Sequence, residues 1–474
     1  MYREREKSKV FVTANARSVG TVTWIPFIGY WRKRGMKKVV KFGGSSLASA
    51  EQFKKVGEII RSDGSRRYVV PSAPGKRFSN DTKVTDMLYT CYGAAMKEKN
   101  FTDLLSAIQN RYNEIIEGLN LTLSLDKDFE IIRENFGKKA GRDYAASRGE
   151  YLNSKIMAAY LGFEFIDAAE VVRFNEDGSF NDDVTNTLLS GRLDKTEYAV
   201  IPGFYGAKED GTVVTFSRGG SDVTGSLVAL AASADLYENW TDVSGFLIAD
   251  PRIVKNPKSI ETITYKELRE LSYMGASVLH EDAIFPVRKA GIPINIRNTN
   301  APQDKGTLIV EGTCRQPKYT ITGIAGTDGF ASITVEKAMM NSEIGFCRKV
   351  LQVFEENEVS IEHMPSGIDT MTIFVHKDEF EEKEQQVLAG IHKAVDPDHI
   401  ELESDLALIA IVGRGMRATR GTAGRIFSAL AHAHINVKMI DQGSSELNII
   451  VGVRHDDFKN AIRALYEIFV LTQI

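Results

Sequence analysis

Cysteine is scarce: Cys91, Cys314 and Cys347 are the only three in 474 residues, widely spaced and odd in number. That excludes a disulfide framework and fits a reducing cytosol. The eight histidines form no HExxH motif and no Cys/His cluster, so no protein-held metal is expected. Long apolar runs are missing too. The longest candidate, Val22 to Trp31, is broken by Pro26 and Gly29 and falls well short of the ~20 residues a membrane span needs. A net charge of −4 provides no electrostatic case for a nucleic-acid partner. There is no GxxxxGK[ST] phosphate loop either.

What remains is a chain of average globular composition, 43% hydrophobic and 26% charged, too long for one core and expected to divide into several domains. Residues 1–35 carry eight Lys/Arg against two Asp/Glu and read as a leader or appended extension. They lack the clean apolar core and cleavage site of a signal peptide. From residue 36 to about 300, short β-rich runs alternate with amphipathic helices. Val39–Phe42 is a buried strand, and Gly43-Gly44-Ser45-Ser46 breaks it. A helix follows with Phe53, Val56 and Ile60 on one face. Further strands are expected at Arg67–Val70, Ala199–Pro202, Thr212–Phe216 and Pro293–Ile296, with residues 101–165 largely helical. This alternation predicts an α/β sandwich with a mainly parallel sheet.

After a linker at 301–320, the C-terminal third repeats itself at a constant offset of 76 residues. Ile333-Thr334-Val335 matches Ile409-Ala410-Ile411, and Val350, Val353 and Phe354 match Ile426, Ala429 and Leu430. Val359-Ser360-Ile361 matches Ile435-Asn436-Val437, and Ile373-Phe374-Val375 matches Ile449-Ile450-Val451. A helix follows each copy, at Glu381–Ala394 and Asp457–Ile468. The pattern is a βαββα unit that one more strand completes into a ferredoxin-like fold, expected over 321–404 and again over 405–474.

Four segments carry candidate chemistry. Lys41 leads into Gly43-Gly44, where backbone amides and a following helix N-terminus suit an anion; a plain tight turn beside a solvated lysine is the alternative. A second strand-to-helix glycine turn, Ser217-Arg218-Gly219-Gly220-Ser221-Asp222, combines an arginine and an aspartate and is hard to explain by packing. Ser147-Arg148-Gly149-Glu150 reads, by itself, as a solvated helix start favoured by the helix dipole, unless another element places Glu150 in a cleft. Thr241-Asp242-Val243 with Asp250-Pro251-Arg252 is consistent with a capped turn or a ligand edge. Gly413-Arg414-Gly415 lies inside the repeat and is read as an ordinary strand–helix loop.

Taken together, these motifs resemble the aspartokinase branch of the amino-acid kinase family, from about residue 37 to the C-terminus. Lys41-Phe42-Gly43-Gly44-Ser45-Ser46 is similar to the family's KFGG(S/T)S signature, and the tandem repeat is similar to its paired ACT domains. The resemblance implies a three-layer amino-acid kinase sandwich at 36–300 that phosphorylates the side chain of L-aspartate with ATP and Mg²⁺. That reaction opens lysine, threonine and methionine biosynthesis in the cytoplasm. By the same resemblance Lys41 stabilises charge on the transferring phosphoryl group and Asp222 orients it. Gly43, Gly44, Gly219 and Gly220 line the phosphate path. Ser45, Thr85, Glu150, Arg218 and Ser221 hold aspartate, with Glu150 toward its ammonium and Arg218 toward its α-carboxylate. Phe204, Thr241, Asp242, Leu247, Arg252 and Ser277 lie along ATP. Leu247 stands where many relatives have an aromatic residue, and Ser277 where they have lysine.

The chemistry fits that division of labour. A carboxylate nucleophile is already ionised at pH 7, so no general base is needed and positioning with charge neutralisation suffices. In the first repeat Met340, Gly345, Phe346, Ile361 and Glu362 fall where relatives bind lysine, the expected effector, with threonine as the alternative. Apolar sheet edges in the repeats predict at least a homodimer. Two other readings stand beside the kinase: a catalytically silent amino-acid-binding regulator, and a family member acting on glutamate, N-acetylglutamate, carbamate or UMP.

Overall fold

The computed structural model describes residues 35–217, 219–276, 281–313 and 317–472. Arg218, Ser277, Cys314 and almost all of the N-terminal extension lie outside them. The catalytic sheet has eight strands in the order Glu164–Phe165, Ala199–Val200, Arg66–Pro71, Lys38–Phe42, Leu236–Thr241, Ile294–Asn298, Thr307–Val310, Thr262–Thr264. Every neighbouring pair is parallel except Thr307–Val310 against Ile294–Asn298.

The two-residue period of a strand decides the layers. Val40 and Phe42 point to one face and pack with helices Ala50–Arg61, Val84–Met96, Thr102–Gly118, Asp126–Gly137 and Arg142–Leu161. Val39 points to the other, toward Asp182–Leu193, Gly220–Ala231, Tyr265–Tyr273 and Glu281–Lys289. Val39, Val40 and Phe42 are all fully buried, each contributing roughly 1.5–3 kcal/mol. Lys41 therefore shares the Val39 face and is directed at helix Gly220–Ala231. The expected strand at Thr212–Phe216 does not join this sheet. Val213–Thr215 pairs with Tyr205–Ala207 in a separate hairpin, because only five residues separate the two runs and a parallel crossover needs a dozen or more.

The repeat folds into one antiparallel sheet of five strands, ordered Thr370–His376, Gly323–Glu336, His399–Val412, Asn448–Arg454, Met439–Asp441. Helices Phe346–Glu356 and Thr422–His432 keep the 76-residue offset, and so do the glycines before them, Gly345 at φ 82° and Gly421 at φ 80°. The two long strands pass from one module into the other. Residues 399–403 pair with 332–336 and complete the first unit, while 323–328 pair with 407–412 and complete the second. The halves are thus interleaved.

Each module also buries its apolar face differently. The first has its own core around Ile333, Phe354, Ile373 and Ile391, whereas the second shares a continuous core with the catalytic unit through Ile248, Leu271, Ile321 and Ile324. Glu267 locks that junction. It caps its own helix in a reciprocal capping box with Thr264, and the same carboxylate accepts from Thr322 Oγ1 and from Arg414, N at 2.9 Å and Nη1 at 2.8 Å. Burial pushes Glu267 up, but the hydrogen bonds from Thr322, Arg414 and Thr264 more than offset it and hold the carboxyl below its ordinary value. Arg414, read as part of an ordinary loop, is therefore a junction residue.

Candidate active site

Lys38–Phe42 and Leu236–Thr241 run parallel with Lys41 directly opposite Asn239. Both side chains turn to the first turn of helix Gly220–Ala231, whose Gly219 takes a left-handed φ of 57° that a side chain would strain. That turn presents Asp222. Lys41 Nζ lies 2.6 Å from Asp222 Oδ1, and Asn239 Nδ2 donates to the same oxygen at 2.8 Å. From beneath, the buried Tyr237 hydroxyl donates to the Asp222 carbonyl at 3.3 Å. Lys41 keeps only 10% of its side chain exposed and Asp222 20%, so the pair is largely withdrawn from solvent, where charge is weakly screened.

The first glycine turn borders this pair. Gly43 N–H donates to the Trp240 carbonyl at 3.1 Å, which anchors the turn beside the strand that ends in Thr241. Gly44 must be glycine for another reason: a Cβ there would stand 2.8 Å from the Ala73 carbonyl oxygen. Gly75 N–H in turn donates to the Gly44 carbonyl at 2.8 Å, so the loop after the second strand closes onto the phosphate-type turn. The second turn is equally tight. A Cβ on Gly220 would clash with Phe204, and one on Gly203 would meet Ser221 Oγ at 2.6 Å. Phe204, at φ 81°, is held there by its N–H donating to Thr224 Oγ1 at 3.0 Å.

Glu150 belongs to the same neighbourhood, close enough for the Lys41 charge to act on its carboxyl. The Ser147–Glu150 segment is not a solvated helix start: it lies in the middle of Arg142–Leu161 and is buried, because the helix begins five residues earlier. Burial raises the Glu150 carboxyl to about 7, against the opposing pull of the Ala73 N–H and the Lys41 charge. Its Oε2 has no hydrogen-bond partner among the described residues, which a buried carboxylate tolerates poorly. Gly149 packs on Ala73, with Thr85 Oγ1 3.8 Å from where its Cβ would be, so Thr85 stands beside Gly149, the chain neighbour of Glu150. Ser45 is exposed and Ser221 buried.

The nucleotide-side residues are arranged more loosely. Thr241 Oγ1 donates to Asp242 Oδ1 at 3.2 Å, and Leu247 bridges to Ser259. Arg252 forks onto Asp250 at 2.6–3.0 Å and is 86% exposed, with no contact to the Lys41 cluster. Among the effector residues, Met340 and Phe346 lie in the first module's core with Ile361 packed against it. Glu362 instead reaches Tyr273 and His376. Asn239, Tyr237 and Gly75 escaped the sequence reading. A buried Asn inside the strand Leu-Tyr-Glu-Asn-Trp was the available signal, since strands disfavour asparagine.

Comparison with known proteins agrees with this architecture. Residues 36–298 match the amino acid kinase family and residues 409–469 an ACT domain. The chain is 41% identical to aspartokinase 3 of Bacillus subtilis over 454 residues, 91% of this chain and 98% of the relative. It superposes on the crystal structure of Clostridium acetobutylicum aspartate kinase with a TM-score of 0.85 at 51% identity, covering 92% and 100% of the two chains. Escherichia coli aspartokinase III in complex with aspartate and ADP shares the fold at 23% identity and a TM-score of 0.66, over 91% and 99%. An interacting lysine and aspartate held between two glycine turns, a duplicated ACT-type sheet and relatives that match over nearly their whole length leave one assignment: the chain belongs to the aspartokinases of the amino acid kinase family.

Proposed function

We propose that the chain transfers the γ-phosphoryl group of ATP to the side-chain carboxylate of L-aspartate, giving 4-phospho-L-aspartate, under feedback control by an amino acid bound to its ACT modules. The observation that carries this reading is the 2.6 Å Lys41–Asp222 contact, with the buried Glu150 close enough to feel the Lys41 charge. A silent regulator has no use for that arrangement.

Lys41 swings its ammonium onto the transferring phosphoryl oxygens as charge moves from the leaving to the attacking side. The amides of Gly43, Gly44, Gly219 and Gly220 line the phosphate path. Glu150 receives the substrate's ammonium, an approaching positive charge that favours its ionised form, while Ser45, Thr85 and Ser221 border the substrate. Arg218, outside the described residues, takes the α-carboxylate. Thr241, Asp242, Leu247 and Arg252 face the nucleotide with Phe204, and so does Ser277, which also lies outside them. Mg²⁺ would come with ATP, whose phosphates and waters would supply most of its ligands. The metal neutralises phosphate charge when bound.

Glu362 offers its carboxylate to an effector ammonium, bordered by Met340, Gly345, Phe346 and Ile361, and lysine is the effector we propose. The first module also exposes Met339, Ile344 and Ile368, at 68%, 98% and 71%, an apolar surface suited to a second copy of the chain. A cytosolic setting suits the free thiols Cys91 and Cys347. ADP release dependent on aspartate, with the acyl phosphate trapped as its hydroxamate, tests the reaction; ADP release without hydroxamate would refute it.

A further inference from the structure

We propose that Asn239 is a positioning residue for phosphoryl transfer: its amide holds the Asp222 carboxylate in the orientation that aims Lys41 into the cleft, and stays on that carboxylate when Lys41 leaves it. The inference rests on the phosphoryl-transfer role proposed for Lys41.

Asn239 is 3% exposed in the central region of a parallel sheet, where an apolar side chain would pack at lower cost. Register makes it the direct partner of Lys41 on the neighbouring strand, so the two side chains leave the sheet side by side on one face. They converge on one atom, Asp222 Oδ1, at 2.6 Å from the lysine and 2.8 Å from the amide. The acceptor is a carboxylate, so the NH₂ end of the asparagine must face it. The amide carries no charge and does not titrate. It therefore steadies Asp222 without weakening the lysine's charge, unlike a second cation at the same place.

The need arises during turnover. If Lys41 moves from Asp222 to the phosphoryl oxygens, the carboxylate loses its ion-pair partner in a poorly solvated site, at a cost that slows the step. The Asn239 N–H compensates part of that loss, and it does so only while Lys41 is displaced. Its contribution therefore belongs to turnover rather than to substrate binding.

The test is a double-variant cycle on the full-length protein. Asn239→Leu, which keeps the branched shape and removes the donor, should lower kcat about tenfold while the KM values for aspartate and ATP stay within about twofold. In a Lys41→Ala background the same substitution should have no further effect on the residual kcat, since the residue acts through the lysine. Asn239→Ser, which restores an O–H donor, should recover most of the turnover, and it replaces the leucine variant in the cycle if that one does not fold. An additive double variant with an impaired Lys41→Ala overturns the proposal for Asn239 alone, and so does an unchanged kcat in Asn239→Leu. Unchanged turnover in Lys41→Ala overturns the phosphoryl-transfer reading with it.

Discussion

Tyr273 donates its phenolic hydrogen to Glu362, joining the end of a catalytic-unit helix to the first ACT module. Burial and the facing carboxylate push the phenol up to about 12, so it is a donor at neutral pH. The other Glu362 oxygen lies 3.5 Å from His376 Nε2. The chain leaves Tyr273 for Gly275 and Ser277, on the proposed nucleotide side. In the proposed reading, an effector ammonium at Glu362 competes with the phenol for the same carboxylate, which couples that site to the end of the helix.

Tyr273→Phe removes the competitor and leaves the ring. Lysine should then bind the variant about three- to tenfold more tightly in isothermal titration, with turnover in the absence of lysine within twofold of the parent. Weaker lysine binding would show that the phenol supports the effector instead of competing with it.

Lys41→Ala should lower kcat by roughly 10²–10³ while the dissociation constant for aspartate changes less than threefold, because the lysine acts mainly as charge develops. Single-turnover phosphoryl transfer separates the two. A rise in the aspartate constant that accounts for the whole loss would place Lys41 in ground-state binding.

Glu150 titrates where the enzyme works. Its folded value of about 7 stands above the ordinary carboxyl value of 4.5, so between those limits the native state holds a proton the unfolded chain has lost. The stability associated with this group is therefore present at acid pH and lost as pH rises through about 7, on the order of 3 kcal/mol in all. Aspartate capture by the ionised form runs the other way, and kcat/KM for aspartate should climb through the same window. Glu150→Gln should flatten both profiles, melt at or above the parent temperature at pH 8, and raise the aspartate KM by at least tenfold. A pH profile that persists in the variant would assign the titration to another group.

Glu267→Gln should loosen the junction between the catalytic unit and the second module, because Arg414 is left without its carboxylate. Breaking such a buried pair costs about 3–5 kcal/mol, read as a lower unfolding midpoint in urea. The sign of the pH effect is opposite to that of Glu150. Glu267 lies below its ordinary value in the fold, so its stabilisation is present above the unfolded value and disappears as pH falls through the folded one. Hydrogen exchange should show the Thr322 and Arg414 amides opening together in the variant; protection unchanged at both would remove Glu267 from the junction.

Much of the catalytic unit could be read from short-range patterns. The break at Gly43-Gly44 after a β-run, the second turn at Gly219-Gly220 and the alternation along Val39–Phe42 are local, and local chemistry dictates them. The duplication was equally visible, since copies that build the same core repeat the same apolar spacing. Thr212–Phe216 was legible as a strand, but its pairing with Tyr205–Ala207 instead of the main sheet was not, because a hairpin strand and a sheet strand share the same composition. Ser147–Glu150 misled because a polar run in a helix looks solvated until other elements bury it.

The chain by itself determined which elements form, where the glycine turns fall and that the sensor is built twice, because each of these follows from spacing within about ten residues or from exact repetition. Only the tertiary structure decided that Lys41 and Asn239 share one oxygen of Asp222, that Gly75 closes on Gly44, that the two long strands exchange modules and that Glu267 serves both a helix cap and a junction. Those contacts join residues tens to nearly two hundred positions apart. Strand register and the packing of distant elements bring them together, and neither is written in any single stretch of chain.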